Sequence, residues 1–552
     1  MIPATFSEMT QTSHTLEGQL VDCTQRQIRP VRLHLQNRRI FKIENIADAP
    51  QKYFLPPFVD AHVHIESSML TPAEFARLAV VHGTGATVSD PHEIGNVLGV
   101  AGVQYMVNNG DRVPFYFCFG APSCVPATPF ETAGASINAQ EIEALLQQDA
   151  IGYLAEMMNW PGVLSQDAEV MEKIAIAHRL GKPVDGHAPG LRGKQAEQYA
   201  AAGISTDHES FTAQEALDKL GAGMKILIRE GSAARNFDAL APLLHEHWQN
   251  MMFCSDDKHP DSLVEGHINE LARRAVAQGV DLYKVIQVAC LNPVAHYRLP
   301  MGQLREGDSA DFIVVNSLQE FRVEQTWLQG ALVAQEGKSL LPHLPSETPN
   351  KFAARPVKAA ALALAAQSST IQVIRALDGQ LITESFTQPA RIHAGMAVAD
   401  PEQDILKLVV LNRYVDAPPA VAFIQGFGLH KGAIASSVAH DSHNLIAVGV
   451  DDESLARALN LLIEQRGGIA AVHAAIEDVL PLPIAGLMSA SDGYEVAEKY
   501  SRIDRLAKEM GSSLGSPFMT LSFMALLVIP SLKLSDRGLF NGEKFTFSPV
   551  FS

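Results

Sequence analysis

Histidine and carboxylate side chains recur at the ends of short apolar runs in the first half of the chain. The first of these runs, residues 58–65, contains His62 and His64. Residues two apart on a strand point to the same face, so these two imidazoles can bind one metal ion together. Taken alone, such a pair is more often structural than metal-binding. Later apolar runs end in further side chains of the same kind, Glu156, His187, His208 and Asp256.

Together the six side chains are a much stronger signal than any one of them. Nitrogen and oxygen donors without a cysteine suit two divalent ions per chain, for which we expect Mn or Fe, with Zn as the alternative. Two ions can share a water and lower its pKa toward neutrality, which yields a metal-activated hydroxide. Asp256 is placed to take the proton of that water and to pass it to a leaving group. For Glu156 alone, a structural ion pair is an equal alternative, because a buried carboxylate needs a partner.

Eight short apolar runs alternate with amphipathic helical stretches between residues 58 and 290. This rhythm predicts an α/β fold, a (β/α)8 barrel, in which catalytic groups gather at the C-terminal ends of the strands. The predicted strands are residues 58–65, 86–90, 115–120, 152–159, 182–188, 204–209, 224–231 and 252–257.

The segments on either side of the barrel have different patterns. Residues 17–55 and 302–333 alternate apolar and polar side chains, which predicts the two parts of a small flanking β-sandwich. We predict five segments: 1–56 and 299–345 as the two parts of the sandwich, 57–298 as the metal-binding barrel, 346–370 as a connecting segment and 371–552 as a C-terminal α/β domain.

Charge and cysteine content limit the partners and the compartment. The formal net charge is −18, which is a poor match for nucleic acid or an anionic membrane surface, so we expect neither as a partner. None of the five cysteines forms a CxxC pair, which favours a reducing compartment. The first 19 residues lack the basic start and apolar core of a secretion signal,. We therefore expect a cytoplasmic protein.

Several segments resemble the amidohydrolase superfamily and, within it, the adenine deaminases of the bacterial type. The similar segments include FVDAHVHIESSMLTP, DGHAPGLRGK, TDHES and FCSDDKHPDSLVEGHI, and the similarity continues in GFGLHKGAIASSVAHDSHNLIAVG. Many members of the superfamily carry a carboxylated lysine after the fourth strand, whereas this chain has Glu156 in LAEMMNWPGV. That difference is typical of the bacterial adenine deaminases, and the resemblance covers nearly the whole chain after residue 17.

The resemblance implies an activity and a role for each ligand. The family hydrolyses adenine to hypoxanthine and ammonia, so a small purine is the expected substrate. The expected ligands of two metal ions are the six residues named above, with Glu156 as a bridge and Asp256 also moving protons, which makes both catalytic residues. We expect a homodimer or a higher homo-oligomer.

Further polar residues follow the predicted strands and are candidates for contacts with the purine. Each has a simpler alternative, such as a turn or a helix cap. The loop within residues 436–450, from its own chain or from a dimer partner, is predicted to face the barrel mouth and to help close the site against water. Its alternatives are a polar turn between strands and a further metal ion held by its two histidines, His440 and His443. The predicted substrate-binding residues are His92, Glu93, Ser123, Arg229, Glu230, Ser232, Asp441 and His443.

Two other functions are compatible with the ligand pattern. One is an amidohydrolase that acts on a different amino-heterocycle or on a cyclic amide, because the metal ligands do not specify the ring. The other is a scaffold that keeps the barrel and has lost catalysis. Such a scaffold is expected to have lost ligands, and this sequence retains the full set.

Overall fold

A sheet that flanks the barrel begins the described part of the chain. The computed structural model describes residues 13–552; the first twelve residues, on which the expectation of no secretion signal largely rests, lie outside the described part. The alternating pattern of residues 31–35 places Val31, Leu33 and Leu35 on the buried face of the second strand. The first four strands are β1 His14–Asp22, β2 Gln27–Gln36, β3 Arg39–Asn45 and β4 Tyr53–Leu55.

Eight parallel strands follow, and they close into the predicted barrel. The first five and the last three form two parallel sheets. The last strand returns to the first, because Asp256 N–H donates to the carbonyl of His62 at 2.9 Å and His64 N–H donates to the carbonyl of Asp256 at 3.3 Å. The strands are β5 Phe58–Val63, β6 Thr84–Ser89, β7 Tyr116–Ala121, β8 Ile151–Met157, β9 Val184–Gly186, β10 Thr206–Asp207, β11 Lys225–Arg229 and β12 Met251–Cys254.

Helices connect the barrel strands and cover their outer side, as the alternating pattern predicts. They are α1 Pro72–Ala79, α2 His92–Leu98, α3 Val100–Gly110, α4 Ala139–Leu146, α5 Trp160–Ser165, α6 Ala168–Arg179, α7 Gly193–Ala201, α8 Ala213–Gly221, α9 Phe237–Leu240, α10 Leu244–His247, α11 Pro260–Glu265, α12 Ile268–Ala277, α13 Leu282–Ile286 and α14 Asn292–Tyr297. Short 3-10 helices cover Ile65–Ser68, Val80–His82, Ala241–Leu243, Trp248–Asn250, Ala359–Leu362 and Pro401–Gln403, and a π-helix covers Gln287–Leu291.

The chain then returns to the flanking sheet. The new strands continue the sheet from β4, in the order β16-β15-β14-β13-β4-β1-β2-β3. Both halves contribute to one apolar cluster, which contains Leu33 and Phe54 from the first half and Phe312 and Trp327 from the second. The sheet therefore folds over on itself as a sandwich. Its later strands are β13 Phe312–Val315, β14 Val323–Leu328, β15 Ala331–Gln335 and β16 Lys338–Ser339.

The C-terminal region is a second α/β unit. Its main sheet has the order β19-β18-β23-β22-β25-β24-β26-β27. The elements are β17 Leu364–Ala365, β18 Thr370–Ala376, β19 Thr383–Pro389, β20 Ile392–His393, β21 Met396–Ala397, β22 Leu406–Leu411, β23 Ala420–Gln425, β24 Ala433–Ser436, β25 Leu445–Gly449, α15 Asp452–Gln465, β26 Gly468–His473, β27 Ile476–Pro481, α16 Gly493–Glu509, α17 Pro517–Phe523, β28 Leu532–Ser535, β29 Gly538–Asn541 and β30 Thr546–Phe547.

The two faces of the C-terminal sheet bury different partners. On one face Leu455, Leu459 and Leu462 of α15 pack on Val409 and Ala435. The other face joins one large apolar core with the barrel helices. The fold class predicted from the sequence is thus confirmed, while the exact domain boundaries stay predictions. Within residues 13–552, no helix has the length and apolar character that crossing a bilayer requires.

Candidate functional site

The carboxylate of Glu156 lies at the centre of a buried histidine cluster. It extends from the C-terminal end of strand β8. Its Oε2 lies 2.7 Å from Nδ1 of His187 and 3.1 Å from Nε2 of His208. Its Oε1 lies 3.4 Å from Nε2 of His64. One carboxylate therefore reaches imidazoles from strands on both sides of the barrel mouth.

His62 and Asp256 complete the cluster from the seam between β5 and β12. The Nε2 atoms of His62 and His64 are 3.2 Å apart. Oδ1 of Asp256 lies 3.1 Å from Nε2 of His64 and 3.7 Å from Nε2 of His62. Asp256 has a φ of 55°, a left-handed conformation that Asp tolerates better than most residues. The structure thus brings all six predicted ligands together.

The electrostatics of the cluster fit divalent cations. Burial alone would raise the pKa of Glu156, but His187 and His208 hold it well below its usual range. Burial, and then His208 and His64, lower the pKa of His62 well below its usual value. Burial would lower the pKa of His64, His187 and His208 as well, but the carboxylates beside them raise it. Metals bind an ionised carboxylate and neutral imidazoles, so ions held here would replace the protons on these three rings. Nδ1 of His62 and Nε2 of His187 are also buried without a hydrogen-bond partner in residues 13–552.

Asp60 aligns the two strands that carry the HxH pair and Asp256. Its carboxylate accepts hydrogen bonds from the backbone N–H of Ser255 at 2.9 Å and from the Ser255 hydroxyl at 2.5 Å. Nε2 of His267 lies 2.9 Å from the same carboxylate. All three side chains are buried. Asp60 therefore fixes the register at which β5 and β12 present their ligands.

Arg229 holds Asp256 from the side away from the histidines. Its Nη1 donates to Oδ2 of Asp256 at 2.6 Å, and its Nη2 donates to Glu209 at 3.3 Å. The guanidinium is fully buried, and the two carboxylates balance its charge. One oxygen of Asp256 is thereby fixed by Arg229, and the other faces the imidazoles.

A buried lysine network positions the strand that leads to His208. Nζ of Lys219 donates to Asp207 at 2.7 Å, to Glu215 at 2.9 Å and to the carbonyl of Ala188 at 2.7 Å. The Lys219 side chain has no exposed surface. Its charge is compensated inside the protein, and Asp207 directly precedes His208.

Replacing this lysine is expected to destabilise the fold strongly. Lys219→Met leaves two buried carboxylates without their cation, so we expect the free energy of unfolding to fall by about 3–5 kcal/mol. Urea unfolding followed by circular dichroism measures this change. The control is Lys225→Met, whose ammonium group bonds to Asn250 near the surface. This change should alter stability by about 0.5 kcal/mol or less. Equal midpoints for the two variants would contradict a structural role for Lys219.

The predicted substrate-binding residues divide into three groups. His92, Glu93, Arg229 and Asp441 line the cavity beside the cluster. His443 lies behind Glu93 and bonds to it. The remaining three lie elsewhere: Ser123 donates to the carbonyl of Glu156, Glu230 pairs with Arg274, and Ser232 bonds to Ser262.

The C-terminal region closes the cavity from above. Its lining residues, which we call the roof, are Leu381, His440, Asp441, Phe523 and Leu526. The space between the roof and the barrel is about 30 Å³. A space of that size admits water and not a purine ring. Binding of a purine there would need a wider space between the roof and the barrel than this structure has.

Sequence reasoning missed several lining residues. Glu209 and Asp257 directly follow His208 and Asp256 in the chain, so their position beside predicted ligands was the available signal. His440 belongs to the polar loop at 436–450, for which the sequence predicts contacts with the purine only from Asp441 and His443. Leu381 and Phe523 carry no polar signal, and only the fold brings them to the barrel mouth.

Comparisons with known proteins cover the whole chain. Residues 53–333 match the model of the amidohydrolase family, and residues 380–546 match that of the adenine deaminase C-terminal domain. The adenine deaminase of Salinibacter ruber is 54% identical over 552 residues, with 100% of both chains covered. That of a Sulfurovum species is 54% identical over 96% of this chain and 98% of the relative. That of Methanosarcina barkeri is 48% identical over 98% of this chain and 99% of the relative.

Proposed function

This chain belongs to the adenine deaminase family of amidohydrolases, and we propose that the buried histidine–carboxylate cluster is where it converts adenine to hypoxanthine and ammonia. The observation that carries this assignment is the position of Glu156, whose carboxylate reaches four imidazoles at 2.7–3.4 Å, those of His64, His92, His187 and His208. A carboxylate bridge of this kind suits a pair of cations. The overall reaction adds water at C6 of the purine and releases the amino group.

Two divalent ions fit this donor set. His62, His64, Glu156, His187, His208 and Asp256 would hold them, and Mn or Fe suits these nitrogen and oxygen donors, with Zn as the alternative. Bound there, the ions would lower the pKa of water and polarise the carbon that is attacked. The number and identity of the ions belong to this proposal.

The protein's own residues position and move the protons. Oδ1 of Asp256 faces the cluster, where it takes a proton from the attacking water and delivers it to the amino group that leaves C6. Arg229 holds the other oxygen of Asp256 at 2.6 Å, so the acceptor atom does not rotate away. The roof excludes bulk water while the base is bound.

An assay against several rings tests the activity. Protein supplied with Mn or Fe is mixed with adenine, guanine, cytosine or a dihydroorotate-like cyclic amide, and ammonia or ring opening is measured. We expect ammonia and hypoxanthine from adenine and at most weak activity on the other rings. Preference for another ring would favour the alternative amidohydrolase, and no turnover of any ring would favour the non-catalytic scaffold.

The compartment and the assembly are part of the same proposal. All five cysteines are free, and four of them are buried, which suits a reducing compartment and supports a cytoplasmic enzyme. For the assembly we keep the homo-oligomer expected from the family resemblance. Light scattering coupled to size-exclusion chromatography measures its mass.

A further inference from the structure

Two neighbouring roof residues carry polar atoms that bond to nothing in residues 13–552. Nε2 of His440 and Oδ2 of Asp441 are buried without a hydrogen-bond partner. Both residues line the cavity beside the candidate metal cluster. A buried polar atom without a partner costs free energy, so its retention at a cavity is best explained by a ligand that supplies the missing bond.

Glu93 fixes the orientation of His440. Oε1 of Glu93 lies 2.5 Å from Nδ1 of His440, and Oε2 bonds to Nε2 of His443. Nδ1 of His443 accepts a hydrogen bond from the backbone N–H of Ala439 at 3.2 Å. A neutral imidazole that accepts at one nitrogen carries its hydrogen on the other, so Nε2 of His443 donates to Glu93.

These hydrogen bonds argue against a third metal site formed by Glu93, His440 and His443. The three side chains lie close enough to hold an ion, but a nitrogen that carries a hydrogen has no lone pair for a cation. Glu93 is thus occupied by two N–H donors, one from each histidine. Its function is to hold the His440 ring so that Nε2 remains for another partner.

His440 and Asp441 therefore present a donor beside an acceptor. Burial alone would lower the pKa of His440, but the charges of Glu93, Asp257 and Asp441 raise it to about 9. At neutral pH both ring nitrogens carry hydrogens, so Nε2 donates. The free carboxylate oxygen of Asp441 accepts. Ser442 and His443, the next residues of the loop, do not line the cavity.

Adenine has a complementary pair of atoms on one edge. The reaction occurs at C6, which must face the cluster on the barrel side. The edge opposite C6 then faces the roof, and it carries N3, an acceptor, next to N9–H, a donor. We propose, on the basis of the proposed function, that Asp441 Oδ2 accepts the N9–H of adenine while His440 Nε2 donates to N3.

This assignment explains how the site would select the free base. A substituent on N9 removes the hydrogen that Asp441 accepts and places bulk against its carboxylate. Sites built to bond a substrate N–H reject analogues that lack it, because a buried polar group is left unpaired. The roof would therefore distinguish purines by the group at N9, far from the atom that reacts.

The test compares adenine with 9-methyladenine and 3-deazaadenine. Each analogue is measured as a substrate and as an inhibitor of adenine turnover, with wild type, Asp441→Ala, Asp441→Leu and His440→Gln. Wild type should prefer adenine to 9-methyladenine by at least ~100-fold. Asp441→Ala should reduce that preference at least ~10-fold, and the change should appear mostly in KM and in the inhibition constant. His440→Gln should weaken the binding of adenine at least ~10-fold. It should leave the binding of 3-deazaadenine nearly unchanged, because that analogue lacks N3.

Ser442→Ala is the matched control from the same loop. It should keep the wild-type preference for adenine over 9-methyladenine and the wild-type affinities for adenine and 3-deazaadenine. The melting temperature of each variant reports on folding. Asp441→Leu, which has a similar side-chain shape but no acceptor, replaces Asp441→Ala if the latter does not fold. An active wild type whose preference for adenine over 9-methyladenine is unchanged by both Asp441 variants would overturn the assignment. A wild type that releases no ammonia from adenine would instead overturn the proposed function, and this assignment with it.

Discussion

Asp256→Asn should lower the turnover of adenine by at least ~100-fold, the usual effect of losing a general acid–base group. The amide has nearly the same shape as the carboxylate, but it does not accept and release a proton in the same way. Arg229, which donates to Oδ2 of Asp256 at 2.6 Å, would also lose its charged partner. Steady-state ammonia release, measured together with the metal content of each sample, separates lost chemistry from lost ions.

The control for this variant is Asp218→Asn, which changes a carboxylate on α8 that pairs with Arg192 near the surface. It removes the same negative charge outside the cavity. Because ion pairs near the surface contribute little, turnover should stay within about twofold of wild type. An Asp256→Asn protein that keeps its metals and near-normal turnover would contradict the proton-transfer role. Loss of metal in that variant would place Asp256 mainly among the ligands.

Glu156→Gln should reduce both the metal content and the rate. A neutral amide is a poor bridge between two cations, and it replaces the charge that His187 and His208 face. Substitutions of groups that only support a metal ligand cost ~10–100-fold in affinity or activity, so the loss of a bridging ligand should be at least as large. Metal analysis of the folded protein and steady-state kinetics measure the two effects.

Glu131→Gln is the matched control, because it changes a second buried glutamate that lies outside the cavity lining. Burial raises the pKa of Glu131 to about 8, so its side chain is mostly protonated at pH 7 and an amide replaces it with little change in charge. This variant should keep its metals. If Glu156→Gln lowers stability while the metal content of the folded fraction stays unchanged, Glu156 is only a structural ion-pair partner.

The barrel and its ligands could be predicted from the sequence because local pattern and chemistry agree there. Most barrel strands are short apolar runs, and the side chains that follow the strands fall at one end of the barrel by topology alone. His62 and His64 share a face because they are two residues apart. The structure places these two with Glu156, His187, His208 and Asp256 within one buried cluster.

The roof is the part that the sequence did not specify. Leu381 and Phe523 are ordinary apolar residues whose position over the barrel depends on long-range packing. The sequence predicts contacts from Asp441 and His443 and not from His440, because a loop sequence does not show which of its side chains turns toward a distant site. Glu230 and Ser232 follow a barrel strand as expected, yet they bond to Arg274 and Ser262 instead of lining the cavity.

The measurement that tests the central claim most directly is a metal titration of one protein sample. The protein is stripped with a chelator, Mn is added back in steps, and hypoxanthine and ammonia formed from adenine are measured at each step with the metal content. We expect stripped protein to be inactive and activity to rise until about two ions per chain are bound, with hypoxanthine and ammonia formed in equal amounts. Full activity in metal-free protein would contradict the claim.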